Sequence, residues 1–418
     1  MLAVATRRRV PAVAWWGAVA AAGVVAGGWL TARNPRFHTD ASPFHGRWDL
    51  VLGPAVLLPL AVGAALVLAG PALARRLEWR TLLVAGPAAS MAWAVALATV
   101  GSPGFTKPMT WRSEYLAGVP LVDGDFLRTF TDALPAYPTH IKGHPPGMVL
   151  VLWALDTIGL GGRWRGAIVV VAVGASAVAA VLLAVREVSS ETAARRVAPY
   201  LVLVPGAVWM ATSGDAFFTG VGAWTVTLTV IATGRTDRRW AVAAGVAWFA
   251  TVLLSYGLVL LAGPVIAVAW VRRRPDVLVV TGAVTVVLLA ALGLVTGFWW
   301  PDGLAATRRA YLAGWAPGRA GWVFVWLNVC AFAFAVGPAV APALQRLRRS
   351  GAALLVAGAL AGVLLADLSL MSKAEVERIW LPWVPWVLVA TVSLRGRGWL
   401  AAQAATGLGI QLALRSTW

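Results

Sequence analysis

The sequence is poor in charge and nearly lacks cysteine. Only 12% of its 418 residues are charged, whereas roughly 25% is usual for soluble domains, and 60% are hydrophobic. A soluble globular fold is therefore excluded. The one cysteine, Cys330, lies in an apolar run, so no disulfide can form within the chain. A Gly-rich phosphate loop and a Gly-x-Ser-x-Gly nucleophile motif are also missing, which argues against P-loop NTPases and serine hydrolases.

The sequence consists mainly of long apolar runs separated by short arginine clusters. Runs of about 20 apolar residues can cross a bilayer as helices, and the short alternating segments of a transmembrane β-barrel are not visible. The first run, 10–32, follows three arginines without a convincing cleavage site, and we interpret it as an uncleaved span. The pattern predicts an all-α fold: a polytopic transmembrane helical bundle of about 13 spans.

The arginine clusters predict the orientation of these spans. Seven inner segments hold 20 of the 35 Lys and Arg residues but only 5 of the 17 acids. Cytoplasmic loops carry such an excess, so the net charge of +18 indicates membrane topology rather than nucleic-acid binding. We expect a multi-pass protein of the cell (plasma) membrane with a cytoplasmic N-terminus. The predicted spans are 10–32, 50–71, 81–100, 166–184, 197–213, 216–233, two short spans within 240–271 that bend near 255–257, 276–297, 321–342, 351–370, 379–394 and 399–416.

One apolar run has two interpretations. Residues 147–160 are too few to cross the bilayer comfortably and include Asp156, so we place them as a helix in the outer leaflet. The alternative is a full crossing, which would move Asp215 to the inner side. The predicted organisation has an N-terminal extension with two spans, a transmembrane core with an outer loop at 101–165, and a C-terminal span. These three parts comprise residues 1–80, 81–394 and 395–418.

The outer loop concentrates titratable side chains in an otherwise apolar chain. Such a loop in a membrane protein is where chemistry is expected. Glu114 stands between a Trp-Arg-Ser stretch and a tyrosine, a setting that can orient a carboxylate, whereas Asp123 and Asp125 flank a glycine as turn residues do. Any of the three could instead be a solvated charge or a helix cap, so the choice between them stays open. The loop's titratable residues also include Asp132, Lys107, Lys142, His140 and His144.

Three other polar segments should reach the same outer face. Asp215 lies between two apolar runs, where it could cap a helix, serve a site, or both. Residues 298–320 carry Arg308 and Arg309. The segment Met-Ser-Lys-Ala-Glu-Val-Glu-Arg precedes an apolar, Trp-rich span, and its cations suit a lipid phosphate, although a salt-bridged loop is the alternative. Its charged residues are Lys373, Glu375, Glu377 and Arg378.

The histidines of the outer loop give little support for a metal. His140 and His144 have the spacing of helical metal ligands, but Pro145 and Pro146 prevent one helix from presenting both. The chain also lacks other soft ligands nearby. We therefore expect no certain cofactor, and a divalent metal is the single cofactor class that these histidines suggest.

Two stretches of the chain resemble the GT-C superfamily of membrane glycosyltransferases. His144-Pro145-Pro146-Gly147 and the apolar run after it look like the His-Pro-Pro segment of the protein mannosyltransferase and aminoarabinose transferase branch. Arg163 or Arg165 then stands where that branch has a basic residue, and 203–216, with Asp215, is similar to its second acidic motif. The resemblance covers about 95–390 in patches. It departs from the branch at the first acid, which usually follows the first span directly and here is Glu114.

The resemblance implies an activity and roles for particular residues. Such enzymes transfer a sugar from a polyprenyl-phosphate donor to an acceptor hydroxyl on the extracytoplasmic face, with inversion. Glu114 would be the general base, and Asp215 its orienting partner or an alternative base. The acceptor would be a cell-envelope glycan, lipid or protein. The residues expected to bind substrate or its phosphate are Lys142, His144, Arg163, Arg308, Arg309, Lys373, Glu375 and Arg378.

Two other classes of function stay open at this stage. A transporter or lipid flippase would place ionisable groups at mid-bilayer and often shows inverted repeats. Apart from Asp276 at the first position of the span 276–297, Asp367 is the only acid inside a predicted span, and no symmetric halves are apparent. A non-catalytic scaffold is the third class, for which the loop acids would be ordinary surface charges.

Overall fold

A computed structural model describes residues 11–101 and 104–416. The cluster Arg7–Arg9, on which the predicted cytoplasmic N-terminus depends, lies outside the described residues, as do residues 417 and 418 of the predicted C-terminal part. The described chain is almost entirely helical, and its helices are α1 (Ala12–Arg33), α2 (Leu57–Arg76), α3 (Trp79–Ala98), α4 (Phe126–Ala133), α5 (Thr139–Lys142), α6 (Gly147–Thr157), α7 (Arg163–Val188), α8 (Glu191–Val202), α9 (Gly214–Thr233), α10 (Arg239–Val252), α11 (Ala262–Arg272), α12 (Pro275–Thr296), α13 (Trp300–Ala313), α14 (Gly321–Val336), α15 (Val340–Arg346), α16 (Gly351–Leu368), α17 (Val376–Ile379), α18 (Val384–Leu388) and α19 (Gly398–Ala413).

Short 3₁₀ helices and one small sheet complete the fold. Strands β1 (Arg47–Trp48) and β2 (Leu414–Arg415) pair antiparallel, with Arg47 opposite Arg415. The 3₁₀ helices are Pro35–Phe37, Pro54–Val56, Pro108–Thr110, Tyr115–Leu121, Leu134–Ala136, Pro205–Trp209, Tyr256–Leu261, Ala316–Gly318, Leu381–Trp383 and Val389–Ser393.

Seven helices of the described chain are long and apolar enough to cross a membrane, namely α1, α2 with its preceding 3₁₀ turn, α3, α7, α9, α12 and α16. Helices α14 and α15 form an eighth candidate that is bent by 90°, and the bend falls at Gly337, whose φ is +81°. These helices are typical of a membrane-embedded protein. The all-α class is therefore confirmed, whereas the other predicted spans are shorter or broken helices.

Proline and capping residues account for two of the broken spans. Residues 197–213 do not form one helix, because α8 begins earlier, where Ser190 Oγ accepts a hydrogen bond from Ala193 N at 3.1 Å. The chain then leaves α8 before Pro205, which opens a 3₁₀ turn. Residues 379–394 form three short helical pieces, with prolines at the first turns of two of them. The predicted bend near 255–257 is confirmed, because a 3₁₀ helix follows Ser255 there.

Helices α7 and α9 form the centre of the bundle and run parallel. Thr227 Oγ1 donates to the Ala180 carbonyl at 2.8 Å, and Trp224 Nε1 donates to Ser176 Oγ at 3.0 Å. Because the residue numbers of the contacting pairs increase together along α7 and α9, the two helices must run in the same direction. The backbones approach closely because Gly220 lies against Val173: a Cβ at Gly220 would come within 1.9 Å of the Val173 carbonyl oxygen. This agrees with the predicted topology, in which both spans cross in the same direction.

The bundle has two polar ends with different contents. At one, which we call the arginine end, Arg195 donates to the carbonyls of Ala74 and Leu77 at 2.8 Å each, and Arg272 lies 3.4 Å from Glu187. At the other, which we call the loop end, lie residues 104–146 of the outer loop, the β1–β2 pair, and the segments 34–49 and 370–378. Within the described residues, the predicted inner segments around Leu77, Arg195, Arg235 and Arg272 thus lie together at one end, away from the predicted outer loop.

Helix α6 begins and finishes at the loop end. Its first residue, Gly147, donates its N–H to the Leu253 carbonyl at 2.9 Å, just beyond the loop-end terminus of α10. After α6, the ring of Trp164 at the start of α7 lies 6.2 Å from that of Phe105. A Cβ at Gly166 would contact Met109 at 3.1 Å. These contacts support the placement of 147–160 along one face, and they oppose the full crossing that was its alternative.

Candidate functional site

The centre of the candidate site is a buried arginine with two carboxylates. Arg378 of α17 donates through Nη1 to Asp215 Oδ2 at 2.5 Å and through Nη2 to Glu375 Oε2 at 2.7 Å. Asp215 is the second residue of α9, so the pair joins segments 163 positions apart. A buried guanidinium is destabilising unless it is paired. Burial lowers the pKa of Arg378, but the two carboxylates outweigh it and raise that pKa above its usual value.

A second buried pair lies in the outer loop. His140 Nδ1 and Glu114 Oε2 are 2.9 Å apart, and the side chains are only 9% and 4% exposed. The backbone reinforces the pair, because His140 N donates to the Ser113 carbonyl at 2.9 Å. Glu114 directly precedes the 3₁₀ helix Tyr115–Leu121, and His140 lies in α5. The loop is therefore folded onto itself so that one acid and one histidine face each other away from solvent.

His140 connects the two buried pairs. Its Nε2 lies 3.3 Å from Arg378 Nη2. A guanidinium can only donate, so Nε2 accepts and the imidazole hydrogen sits on Nδ1, where it points to Glu114. The order Glu114, His140, Arg378, Asp215 is thus a continuous line of contacts, which we call the buried relay. It brings together both predicted catalytic residues, Glu114 and Asp215, and the predicted phosphate ligand Arg378.

The second oxygen of Glu114 has no hydrogen-bond partner among residues 11–101 and 104–416. Buried carboxylate oxygens almost always have a donor. In contrast, Asp123 and Asp125 are exposed turn residues: Asp123 Oδ1 accepts from Asp125 N at 3.0 Å, and Asp125 forms an ion pair with Arg128 at 2.7 Å. Of the three acids left open by the sequence, Glu114 is the buried one with an oxygen available to accept a proton.

A hydrogen-bonded pair of neutral side chains, Tyr115 and His144, lies beside the buried relay. Tyr115 Oη and His144 Nδ1 are 2.8 Å apart. Burial lowers the pKa of His144 to about 4, and burial together with the charge of Asp215 raises the pKa of Tyr115 well above its usual value. Both side chains are therefore neutral near pH 7. Gly214 makes the contact feasible, because a Cβ there would come within 2.6 Å of the Tyr115 ring. His144, a predicted substrate residue, thus lies close to the buried relay.

Lys373 holds the backbone at the edge of the site. Its Nζ donates to the carbonyls of Ala316 and Arg319 at 3.0 and 2.9 Å. In return, Arg319 Nη1 donates to the Lys373 carbonyl at 2.6 Å, and Arg319 Nε donates to the Phe37 carbonyl at 3.0 Å. Lys373, predicted as a phosphate ligand, is therefore engaged with backbone. The neighbouring Arg319 is 6% exposed, and its Nη2 has no hydrogen-bond partner in the described part of the chain.

Glu377 is a further buried acid next to the relay. It has no exposed surface, and its Oε1 accepts from the His45 backbone N–H at 2.8 Å. Burial raises the pKa of Glu377 to about 7, although the His45 N–H acts in the opposite direction. Burial likewise lowers the pKa of His45. Glu377 thus attaches the 34–49 segment to the loop end.

The remaining predicted residues lie outside the buried relay. Lys142 and Arg309 line an open groove of about 600 Å³ between residues 131–142 and α13, together with Asp132. Arg308 is exposed on α13, and Arg163 is exposed at the first residue of α7. These cations surround the loop end without entering its buried centre.

Sequence reasoning missed Arg319, His45 and the part played by Glu377. Arg319 was one of three arginines in one outer loop, with nothing local to distinguish it. His45 lies in the N-terminal extension, which the family-like core did not include. His140 was considered only as a metal ligand, and no cluster of three or more potential metal ligands occurs among the described residues.

No family model matches this chain, and no curated protein is similar to it.

Proposed function

We propose that the protein is a GT-C-like glycosyltransferase of the membrane, which moves a sugar from a polyprenyl-phosphate donor to an acceptor hydroxyl with inversion. The observation that carries the proposal is the buried relay. It holds a carboxylate with an available oxygen in line with a buried guanidinium, at the one end of the molecule where the polar loops meet. Such a reaction needs a general base for the acceptor hydroxyl and a positive charge that stabilises the leaving phosphate.

Glu114 is the general base in this proposal. As the acceptor oxygen attacks the anomeric carbon, its proton moves to Glu114 Oε1, and the bond from that carbon to the phosphate oxygen breaks. His140 fixes the carboxylate through Oε2 and leaves Oε1 available. Asp215 is the weaker candidate, because its Oδ2 is already engaged by Arg378 Nη1. We assign Asp215 the role of orienting Arg378.

Arg378 stabilises the phosphate leaving group. The phosphate departs with the bonding electrons, and the positive charge of the buried guanidinium stabilises it without supplying a proton. Tyr115 and His144 contribute neutral polar groups beside the reacting atoms. Lys142, Arg308, Arg309 and Arg163 lie further out, where cations attract an anionic lipid headgroup.

We also propose a finer topology for the helices. The two-part helices at 191–209, 321–346 and 379–393, the two short helices at 239–252 and 256–272, and α19 add to the seven long helices to make 13 crossings. The loop end would face the extracytoplasmic side of the cell membrane, opposite a cytoplasmic N-terminus, because the other end is rich in arginine. The acceptor would be a cell-envelope glycan, lipid or protein.

Glu114→Gln tests the base directly. The amide keeps the shape of the side chain but cannot accept the proton, so we expect transfer of radiolabelled sugar from polyprenyl phosphate in membranes to fall by about 10²–10⁴-fold. Membrane insertion and expression should be unchanged. Asp123→Asn, an exposed acid of the same loop, is the matched control and should retain activity.

Full transfer activity in Glu114→Gln would overturn the base assignment. Absence of transfer by the wild-type protein with every donor and acceptor tested, together with substrate-driven transport in liposomes, would favour a transporter instead.

A further inference from the structure

Glu375 has an unusual backbone conformation. Its φ is +63°, and that of the preceding Ala374 is +71°. Residues with a Cβ avoid this left-handed region because the Cβ crowds the backbone there, and neither residue is Gly or Asn. The segment thus keeps two unfavourable residues in succession, directly before α17. A favourable contact of the Glu375 side chain is therefore needed to offset this backbone strain.

The stabilising contact is the ion pair with Arg378. Glu375 Oε2 lies 2.7 Å from Arg378 Nη2. Burial opposes the charge on Glu375, but the nearby positive charge of Arg378, followed by His45 and Arg319, holds its pKa at about 2. Glu375 is therefore fully ionised at physiological pH and lies between positively charged groups.

The two carboxylates on Arg378 differ in access. The Asp215 side chain is 4% exposed, whereas that of Glu375 is 24% exposed. Asp215 is fixed in the first turn of α9, within the bundle centre. Glu375, in contrast, belongs to the irregular segment before α17. An anion from outside can therefore reach the place of Glu375 more easily than that of Asp215.

A second guanidinium completes the surroundings of Glu375. Arg319 is buried, fixed through Nε and Nη1 to backbone carbonyls, and has an Nη2 without a hydrogen-bond partner among the described residues. Its charge is close enough to Glu375 to stabilise the ionised carboxylate. A buried Nη2 with no acceptor is costly, and it indicates that an acceptor belongs there.

We propose that Arg378 and Arg319 form an anion site for a phosphate group, and that Glu375 competes with this phosphate for Arg378 Nη2. This rests on the proposed function, in which the phosphate is that of the lipid donor, and it assigns Arg319 as a further binding residue. A phosphate dianion presents more acceptor oxygens than a carboxylate and can engage two guanidinium groups at once. Displacement of Glu375 would also release its segment from the left-handed conformation.

Binding to the purified full-length protein in detergent micelles tests the site without requiring catalysis. The probes are farnesyl phosphate, inorganic phosphate and uncharged farnesol, followed by the change in tryptophan fluorescence. Because Glu375→Gln removes the competing charge, it should bind farnesyl phosphate at least about 10-fold more tightly than wild type. Farnesol binding should be unchanged. Adding Arg319→Gln to Glu375→Gln should abolish the gain.

Two further variants serve as controls for misfolding and for net charge. Glu375→Asn tolerates the left-handed backbone and should show the same gain if Glu375→Gln folds poorly. Asp125→Asn removes an exposed acid of the same end and should change nothing, which excludes a general effect of net charge. A gain for inorganic phosphate as well would identify phosphate alone as the ligand, whereas a gain only for farnesyl phosphate would identify the lipid form.

Equal or weaker binding of farnesyl phosphate by both Glu375 variants would overturn the competition, and so would a gain that survives Arg319→Gln. The same experiments distinguish this inference from the proposed function. If the protein binds phosphate as described but never transfers sugar, the anion site is supported and the glycosyltransferase assignment is wrong.

Discussion

At the scale of single residues, four acids of the loop end, Glu114, Asp215, Glu375 and Glu377, show how much a carboxylate depends on its neighbours. Glu375 and Glu377 are two positions apart, yet nearby cations hold the pKa of Glu375 at about 2, while burial raises the pKa of Glu377 to about 7. Glu114 and Asp215 instead face His140 and Arg378. Neighbouring positions in the sequence thus provide groups with opposite charge behaviour.

The raised pKa of Glu377 predicts a pH-dependent stability. The unfolded chain ionises Glu377 near its usual 4.5, whereas the folded protein keeps it protonated up to about 7. The stability that this group contributes is therefore complete below pH 4.5 and is lost as the pH rises to 7. Glu377→Gln cannot ionise and keeps the acceptor for His45 N–H. Between pH 5 and pH 8, the free energy of unfolding of this variant should increase relative to that of wild type by up to about 3 kcal/mol. Its apparent Tm in detergent should increase relative to wild type over the same range.

Asp123→Asn, which alters an exposed acid, should show no pH-dependent change in Tm relative to wild type. A constant difference between Glu377→Gln and wild type across this pH range would contradict a protonated Glu377.

At the scale of elements, the bundle depends on close approach of α7 and α9. Gly220 touches the backbone of α7, so the added methyl group of Gly220→Ala would overlap the Val173 carbonyl. Overpacking of this kind costs about 1–3 kcal/mol. We expect a lower apparent Tm and reduced activity, since α9 carries Asp215. Gly282→Ala in α12 is the control, because nothing lies within 4 Å of its added Cβ.

If Gly220→Ala retained the stability of Gly282→Ala, the close packing of these two helices would not be what positions Asp215.

Elements were predictable where one long apolar run makes one helix. The spans at 81–100, 166–184 and 276–297 correspond to α3, α7 and α12 within a few residues. The predictions differed from the structure where prolines interrupt the run, as at 379–394, or where a cap starts the helix earlier, as with Ser190 before α8. Apolar length alone does not indicate such breaks, because the neighbouring segments that satisfy the freed backbone groups are distant in the sequence.

At the scale of the whole molecule, the separation of the two polar ends predicts which positions share a side of the membrane. With Cys330→Ser as background, single cysteines at Thr110, Trp164 and Arg238 would report it. An impermeant maleimide applied to intact cells should label Thr110→Cys and Trp164→Cys, whereas Arg238→Cys should react only after permeabilisation. All three positions are exposed.

Labelling of Thr110→Cys and Arg238→Cys but not of Trp164→Cys on intact cells would mean that α6 crosses the membrane after all. Labelling of Arg238→Cys alone on intact cells would reverse the orientation of the whole protein and place the buried relay on the cytoplasmic side.

The sequence by itself determined the membrane class, the alternation of arginine-rich and loop-rich ends, and the region where chemistry is expected. These follow from composition and from the length of apolar runs, which are local properties. Only the tertiary structure decided that Glu114 is buried while Asp123 and Asp125 are exposed, that Arg378 pairs with Asp215, and that Lys373 holds backbone. Burial and pairing across 163 positions depend on how helices pack, and no local pattern records that.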